Sequence, residues 1–207
     1  MSLIGADIRY TSPEGTTILD GVSITLPKAS ILAVGGPSGA GKSTLARILS
    51  GHTAPSAGTV EVDRQSVLRK GRPRAVQYAP QSPELSTDPR WTVGRILANG
   101  GLPQPEILDA LGVQTSWVPR LPAELSGGQL QRVSLARLLR PETKYLICDE
   151  ITAQLDALSQ KELWDRLTEI CRLREIGLLV ISHDITLRHR LAQKTLTLAR
   201  GRLDNSA

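Results

Sequence analysis

The sequence predicts an α/β protein with a parallel sheet at its centre and antiparallel strands at its N-terminus. Three observations predict this. Residues 145–148 and 178–181 are continuous apolar runs of the kind that form strands buried on both faces. Between them, residues 158–174 place Leu158, Leu163, Leu167 and Ile170 at helical spacing. Strand, helix and strand in that order make a parallel crossover unit. Short apolar runs parted by turn residues open the chain, at 6–10 and 21–26 around a turn at 12–16, and these read as antiparallel strands.

The remaining elements follow in order. Residues 31–34 form a short apolar strand that runs into glycines and then a helical pattern at 42–50. Proline and glycine cluster through 71–89, which reads as loop. Residues 107–111 and 130–139 read as helical, and 195–198 followed by Gly201 as a closing hairpin. No internal repeat, low-complexity tract or long linker interrupts them.

At 207 residues the chain fits one compact domain and is short for two. An apolar content of 40% is globular rather than disordered or membrane-spanning. Phe is absent, so Leu, Ile, Val and Ala must fill the core. The first ten residues carry Asp7 and Arg9 and show no signal-peptide pattern. No apolar run approaches the ~20 residues of a membrane-spanning helix, so a role at a membrane is expected from outside the bilayer. Cys148 and Cys171 lack metal-ligand spacing and read as reduced core thiols of a cytosolic chain. The charge of +5 fits an Arg-rich solvated surface or an anionic partner. No basic block with interleaved aromatics signals nucleic acid, and none is expected as a partner.

Gly36-Pro37-Ser38-Gly39-Ala40-Gly41-Lys42-Ser43 fits G-x-x-x-x-G-K-[ST] at every fixed position, between an apolar strand and a helix. The glycines allow a tight turn whose successive N–H groups face inward as an anion nest. The following helix presents its positive end to phosphates. Lys42 can reach β- and γ-phosphates, and Ser43 can hold Mg²⁺. The strand at 145–148 ends in Asp149 and Glu150. Asp149 suits the Mg²⁺ side of such a site, and Glu150 suits a general base for an attacking water. His183 follows the next strand, at the carboxyl end where open α/β sheets bind ligands. Ser126, Gly127, Gly128 and Gln129 open a helix, as a structural cap or as a second phosphate-binding turn.

The stretch Leu125-Ser126-Gly127-Gly128-Gln129 resembles the LSGGQ signature of the ATP-binding-cassette (ABC) ATPases. The phosphate loop resembles the family's Walker A, and residues 145–150 its Walker B with the catalytic glutamate. Gln81 resembles the Q-loop glutamine, Leu155-Asp156 the end of the D-loop, and His183 the H-loop histidine. Tyr10 sits where the family places an aromatic that stacks on adenine. The resemblance runs from Asp7 to about Leu203.

That resemblance implies a P-loop NTPase core with a parallel sheet, an N-terminal antiparallel β-subdomain and an inserted helical subdomain, the ABC ATPase fold. Residues 1–207 are expected as one such domain, with the helical subdomain roughly at 82–140. ATP is expected on Tyr10, on Gly36, Pro37, Ser38, Gly39, Ala40, Gly41, Lys42, Ser43 and Thr44, and, from a second subunit, on Ser126, Gly127, Gly128, Gln129 and Asp156. Mg²⁺ is expected on Ser43, Gln81 and Asp149. Glu150, His183, Lys42 and Gln81 form the expected catalytic set. A head-to-tail dimer with the same chain or a paralogue would give both phosphate turns one shared nucleotide. Two departures stand out: Ile151 where proline is usual and Gln154 where a small residue is commoner.

Residues 82–97 are similar to the stretch that peptide and nickel importer ATPases carry after the Q-loop, with Asp88-Pro89-Arg90 and Thr92-Val93-Gly94. The implied activity is ATP hydrolysis that energises an importer of peptides, nickel or a metal chelate. Permease subunits and an extracytoplasmic solute-binding protein are the implied partners, and the cytoplasmic face of the inner membrane the implied place. Trp91 reads either as part of a permease-docking groove or as core packing. Members of that branch commonly continue into a C-terminal extension, whereas this sequence reaches Ala207 soon after its closing strand pattern. An ATPase subunit of a soluble assembly, such as phosphonate-degrading machinery, is the alternative.

Overall fold

A computed structural model describes residues 1–68, 75–99 and 101–204 of the chain. It opens with an antiparallel hairpin, β1 (Ser2–Thr11) and β2 (Thr17–Pro27), closed where Ser12 N–H donates to the Thr16 carbonyl at 2.8 Å. β3 (Ile31–Gly35) leads into α1 (Lys42–Leu49). β4 (Ala57–Val62) and the short β5 (Gln65–Ser66) return to the hairpin. β6 (Val76–Ala79) is followed by α2 (Val93–Ala98), α3 (Pro105–Leu111) and α4 (Gly127–Leu138). β7 (Tyr145–Asp149), α5 (Ala157–Leu173) and β8 (Gly177–Ile181) come next, then α6 (Ile185–Leu191), β9 (Lys194–Ala199) and β10 (Arg202–Asp204).

Two sheets result. An antiparallel one runs β2-β1-β4-β5, and a larger one runs β10-β9-β3-β8-β7-β6. The larger sheet is parallel from β9 to β6, with β10 as its antiparallel edge. Side chains alternate across each central strand. Leu32 and Val34, Tyr145 and Ile147, and Leu179 and Ile181 join the core shared with the antiparallel sheet and α1. Ala33, Leu146, Cys148, Leu178 and Val180 join the core shared with the helices that follow β6. Burial on both faces is why these strands are unbroken apolar runs in the sequence.

The structure corrects two expectations. Within 71–89, read as loop, Val76–Ala79 is a strand that pairs in parallel with β7. Its Val-Gln-Tyr-Ala sequence lacks the apolar run or alternation that marks a strand, and pairing with β7 decides its conformation. Residues 71–74 of that stretch lie outside the described residues. In α5, Leu158 is 76% exposed and off the core face, because a step of five residues to Leu163 turns it about 140° round the helix. Trp164 and Cys171 complete that face with Leu163, Leu167 and Ile170. Trp91 is half-buried against the helical core, with the Arg95 guanidinium 4.2 Å above its ring. Both cysteines are free and buried, and burial pushes the Cys148 thiol well up and that of Cys171 up to about 12. No helix among the described residues is long and apolar enough to cross a membrane.

Candidate functional site

The strand order sets the site. β3, β8, β7 and β6 are parallel neighbours, so their carboxyl ends meet along one edge of the sheet. β3 delivers the glycine-rich loop, β7 delivers Asp149 and Glu150, β8 delivers Ser182 and His183, and β6 delivers Gln81. A cavity of about 490 Å³ lies there, lined by Ile18, Gly36, Ser38, Gly39, Gly41, Lys42, Ser43, Thr44, Gln81, Asp149, Glu150 and His183.

The loop is shaped to receive an anion. Gly36 has φ 140°, and a Cβ on it would lie 2.0 Å from the Leu198 carbonyl oxygen of β9, so only glycine fits. Gly41 starts α1 with no side-chain cap and no acidic residue in the first turn, which leaves the first amides of the helix free for a ligand. Lys42 is 9% exposed, and its Nζ donates to the Gly36 and Pro37 carbonyls at 2.9 Å each. Two neutral acceptors hold the ammonium in the mouth of the loop and leave a third N–H for an incoming phosphate oxygen.

The carboxylates are held differently. Asp149 is 5% exposed, and its Oδ2 accepts from the Tyr78 hydroxyl at 2.9 Å. Burial, and then the charge of Asp149, push the Tyr78 phenol up to about 12, so it stays a donor. Glu150 adopts φ 51°, a left-handed conformation, while its N–H donates to the Ile181 carbonyl at 2.9 Å. That turn lifts its side chain off the sheet edge towards His183, whose Nδ1 lies 3.4 Å from Oε2. His183 sits between two anchors: Asp184 N–H donates to Ser182 Oγ at 3.1 Å, and Asp184 Oδ1 accepts from Leu187 N–H at 3.1 Å. Together these groups can bind phosphates, orient a hard cation and activate a water.

The donor set suits Mg²⁺. Asp149, Ser43 and Gln81 offer oxygens, and no cluster of three or more His, Cys, Asp or Glu among the described residues could hold a metal alone. A cation kept largely by phosphates and water matches that chemistry.

The signature turn lies elsewhere. Ser126, Gly128 and Gln129 line a separate groove of about 410 Å³ with Gly112, Gln114, Trp117, Arg132, Leu155, Ser159, Glu162 and Arg166. It shares no lining residue with the phosphate-loop cavity. Within the chain the turn is a capping box: Ser126 Oγ accepts from Gln129 N–H at 3.3 Å, and Gln129 Oε1 accepts from Ser126 N–H at 2.9 Å. Gly127 is exposed there. Asp156 caps α5, with Oδ1 accepting from Leu158 and Ser159 N–H at 3.0 Å each. Hydrogen bonds from Ser159 and the helix amides hold its carboxyl below the usual range. Ile151 is buried and Gln154 exposed.

Of the other predicted residues, Pro37 is exposed and Ala40 buried, and neither lines the cavity. Tyr10 is half-buried against the core, opposite Leu19 on β2, and Ile18 rather than Tyr10 lines the cavity. Sequence reading missed Ile18, Tyr78 and Arg188. Arg188 is 8% exposed on α6, its Nη1 donates to the Ser182 carbonyl at 2.6 Å, and its guanidinium covers Gly35. A charged residue on a short helix reads as solvated, so no sequence signal marks Arg188, and Tyr78 lies in the stretch that reads as loop.

Known proteins with this pattern agree. The ABC transporter family model matches residues 19–153. The nickel import ATP-binding protein NikE of Rhodospirillum rubrum is 32% identical over 92% of this chain and 76% of its own length. The methionine import ATP-binding protein MetN 1 of Rhodopseudomonas palustris is 37% identical over 94% of this chain, which spans 56% of that protein. Among solved structures, the dimeric cassette MJ0796 superposes with a TM-score of 0.82 at 22% identity, over 99% of this chain and 97% of that one. CbiO1 of Clostridium perfringens, part of the cbiONQ transporter complex, superposes with a TM-score of 0.81 at 26% identity, over 98% and 86%. The chain belongs to the ABC transporter family and is an ATP-hydrolysing cassette with the ABC ATPase fold.

Proposed function

We propose that this chain is the motor of an importer: it binds Mg-ATP, closes on a second cassette, hydrolyses the nucleotide and passes the motion to permease subunits. The observation that carries the dimer is the separation of the two phosphate-binding turns into grooves with no residue in common. A two-fold pair, of this chain with itself or with a paralogue, would set Ser126, Gly127, Gly128 and Gln129 of one subunit against the ATP on Lys42 of the other, with Asp156 nearby. In this reading residues 1–207 are one cassette, with residues 82–140 its helical subdomain.

Within each site Lys42 would leave its loop carbonyls for the β- and γ-phosphates. Ser43, Gln81 and Asp149 would hold Mg²⁺, which neutralises phosphate charge when bound. Glu150 would take the proton of the attacking water, and His183, within reach of Glu150, would hold that carboxylate and the γ-phosphate in place. Tyr10, with Ile18 beside it, would meet the base. Permease subunits and an extracytoplasmic solute-binding protein would complete the system, with this chain on the cytoplasmic face of the membrane. The curated relatives named above are import ATP-binding proteins for nickel and for methionine. They share a motor rather than a cargo, and residues 82–97 favour nickel, a metal chelate or peptides here.

Glu150→Gln beside the native chain tests this by size-exclusion with Mg-ATP and by phosphate release. The variant should form an ATP-dependent dimer and release no phosphate, while the native chain turns over. Dimerisation by neither chain, with no turnover, would refute the homodimer and direct the search to a paralogous cassette.

A further inference from the structure

Asp149 is not held by the nucleotide loop or by its own strand. Among the described residues, the one hydrogen bond to its carboxylate comes from Tyr78, 71 residues earlier in the chain. Tyr78 stands on β6, whose last residue, Ala79, precedes Pro80 and Gln81. β6 pairs in parallel with β7, with Tyr78 opposite Ile147 and Ala79 opposite Cys148. That register brings the phenol alongside the carboxylate that ends β7. The ring is half-buried against the core between the sheets and tilts over His52, with centroids 5.6 Å apart. His52 is itself tied to Ser50 Oγ at 2.8 Å, just after α1. The charge of Arg47 on α1, the helix that begins with Lys42 and Ser43, acts on the phenol against its upward shift.

One hydroxyl therefore joins two segments that each deliver a group to the cavity: β7 with Asp149, and β6, which leads to Gln81. The phenol occupies Oδ2 and leaves Oδ1 as the oxygen free to meet a cation. A carboxylate engaged at one oxygen cannot rotate freely, and a hydrogen bond to a group beside a metal fixes the direction of its lone pairs. We propose that Tyr78 is a positioning residue that orients Asp149 for Mg²⁺ and keeps Asp149 and Gln81 in one geometry. This rests on the Mg-ATP reading of the site given above.

Tyr78→Phe keeps the ring and removes the donor. Binding of a fluorescent ATP analogue by the full chain is measured in EDTA and across a Mg²⁺ titration, beside urea unfolding. The variant is expected to raise the Mg²⁺ concentration for half-maximal binding by at least about threefold, and by about tenfold where the full worth of a hydrogen bond to a charged group is lost. Metal-free binding should match the native chain. Tyr78→Met, whose adaptable side chain also lacks the donor, should behave alike and serves if the Phe variant does not fold. A Mg²⁺ midpoint raised by less than about threefold, in a native chain that does depend on Mg²⁺, overturns the assignment. An equal loss in metal-free binding overturns it too, because the phenol would then serve packing. Failure of both variants to fold assigns the hydroxyl to the fold and not to the metal. A native chain whose nucleotide binding ignores Mg²⁺ overturns the Mg-ATP reading itself.

Discussion

Gly36→Ala and Gly39→Ala should separate the two reasons a phosphate loop contains glycine. Gly36 has φ 140°, and a Cβ there would sit 2.0 Å from the Leu198 carbonyl oxygen, 3.1 Å from its carbon and 3.4 Å from its nitrogen. These are backbone atoms of β9, which pairs with β3 through Val34↔Leu196 and Gly35↔Thr197. The collision can be relieved only by moving β9 more than about 1 Å, which breaks ladder hydrogen bonds worth about 1 kcal/mol each. The disallowed backbone adds ~1–3 kcal/mol. A loss of about 3–5 kcal/mol follows, on the order of 10 °C in melting temperature for a domain of this size. Gly39 has φ 76° and nothing within 4 Å of its Cβ position. Alanine there meets only left-handed strain, about 1 kcal/mol, so the variant should fold. Its defect should lie in ATP binding, because the added methyl meets the ligand and not the chain. Urea unfolding and titration with a fluorescent ATP analogue check both variants. Equal stability of the two would refute the steric account of Gly36.

Three further outcomes follow from packing. The Gly35 Cβ position lies 2.4 Å from Arg188 Cζ, so Gly35→Ala should cost ~1–3 kcal/mol, and much less in an Arg188→Met background; strict additivity in this double-mutant cycle would show that the two do not share the space. Trp164→Phe removes the buried hydrogen bond from Trp164 Nε1 to Thr152 Oγ1, 3.1 Å long, and should lower stability by ~1–3 kcal/mol in urea; a loss below about 0.5 kcal/mol would mean that Thr152 finds another partner. Burial pushes the Cys171 thiol up to about 12, above the value it has in the unfolded chain. Because the unfolded chain loses that proton first, its contribution to stability is whole below pH 9 and falls away as pH rises towards 12. Native chain at pH 8 should resist a thiol reagent that labels both cysteines after unfolding, and rapid labelling of the native state would contradict the burial of Cys148 and Cys171.

Much of the site was legible because its chemistry is local. The loop from Gly36 to Ser43 is one contiguous stretch, and glycine, lysine and serine carry the same meaning wherever the stretch folds. β7 and β8 were legible because burial on both faces writes an uninterrupted apolar run. The helix cap at Ser126 was legible because a serine before two glycines marks a helix start locally, and the structure pairs it with Gln129 three residues on.

What the tertiary structure decided is which distant segments became neighbours. β6 has too little apolar pattern of its own and is a strand because β7 offers it a ladder. Tyr78 meets Asp149, and Arg188 covers Gly35, only through the order in which β3, β8, β7 and β6 line up. Periodicity reports which face of an element is apolar. It does not report what stands opposite, because that depends on strand order and register fixed by the chain as a whole.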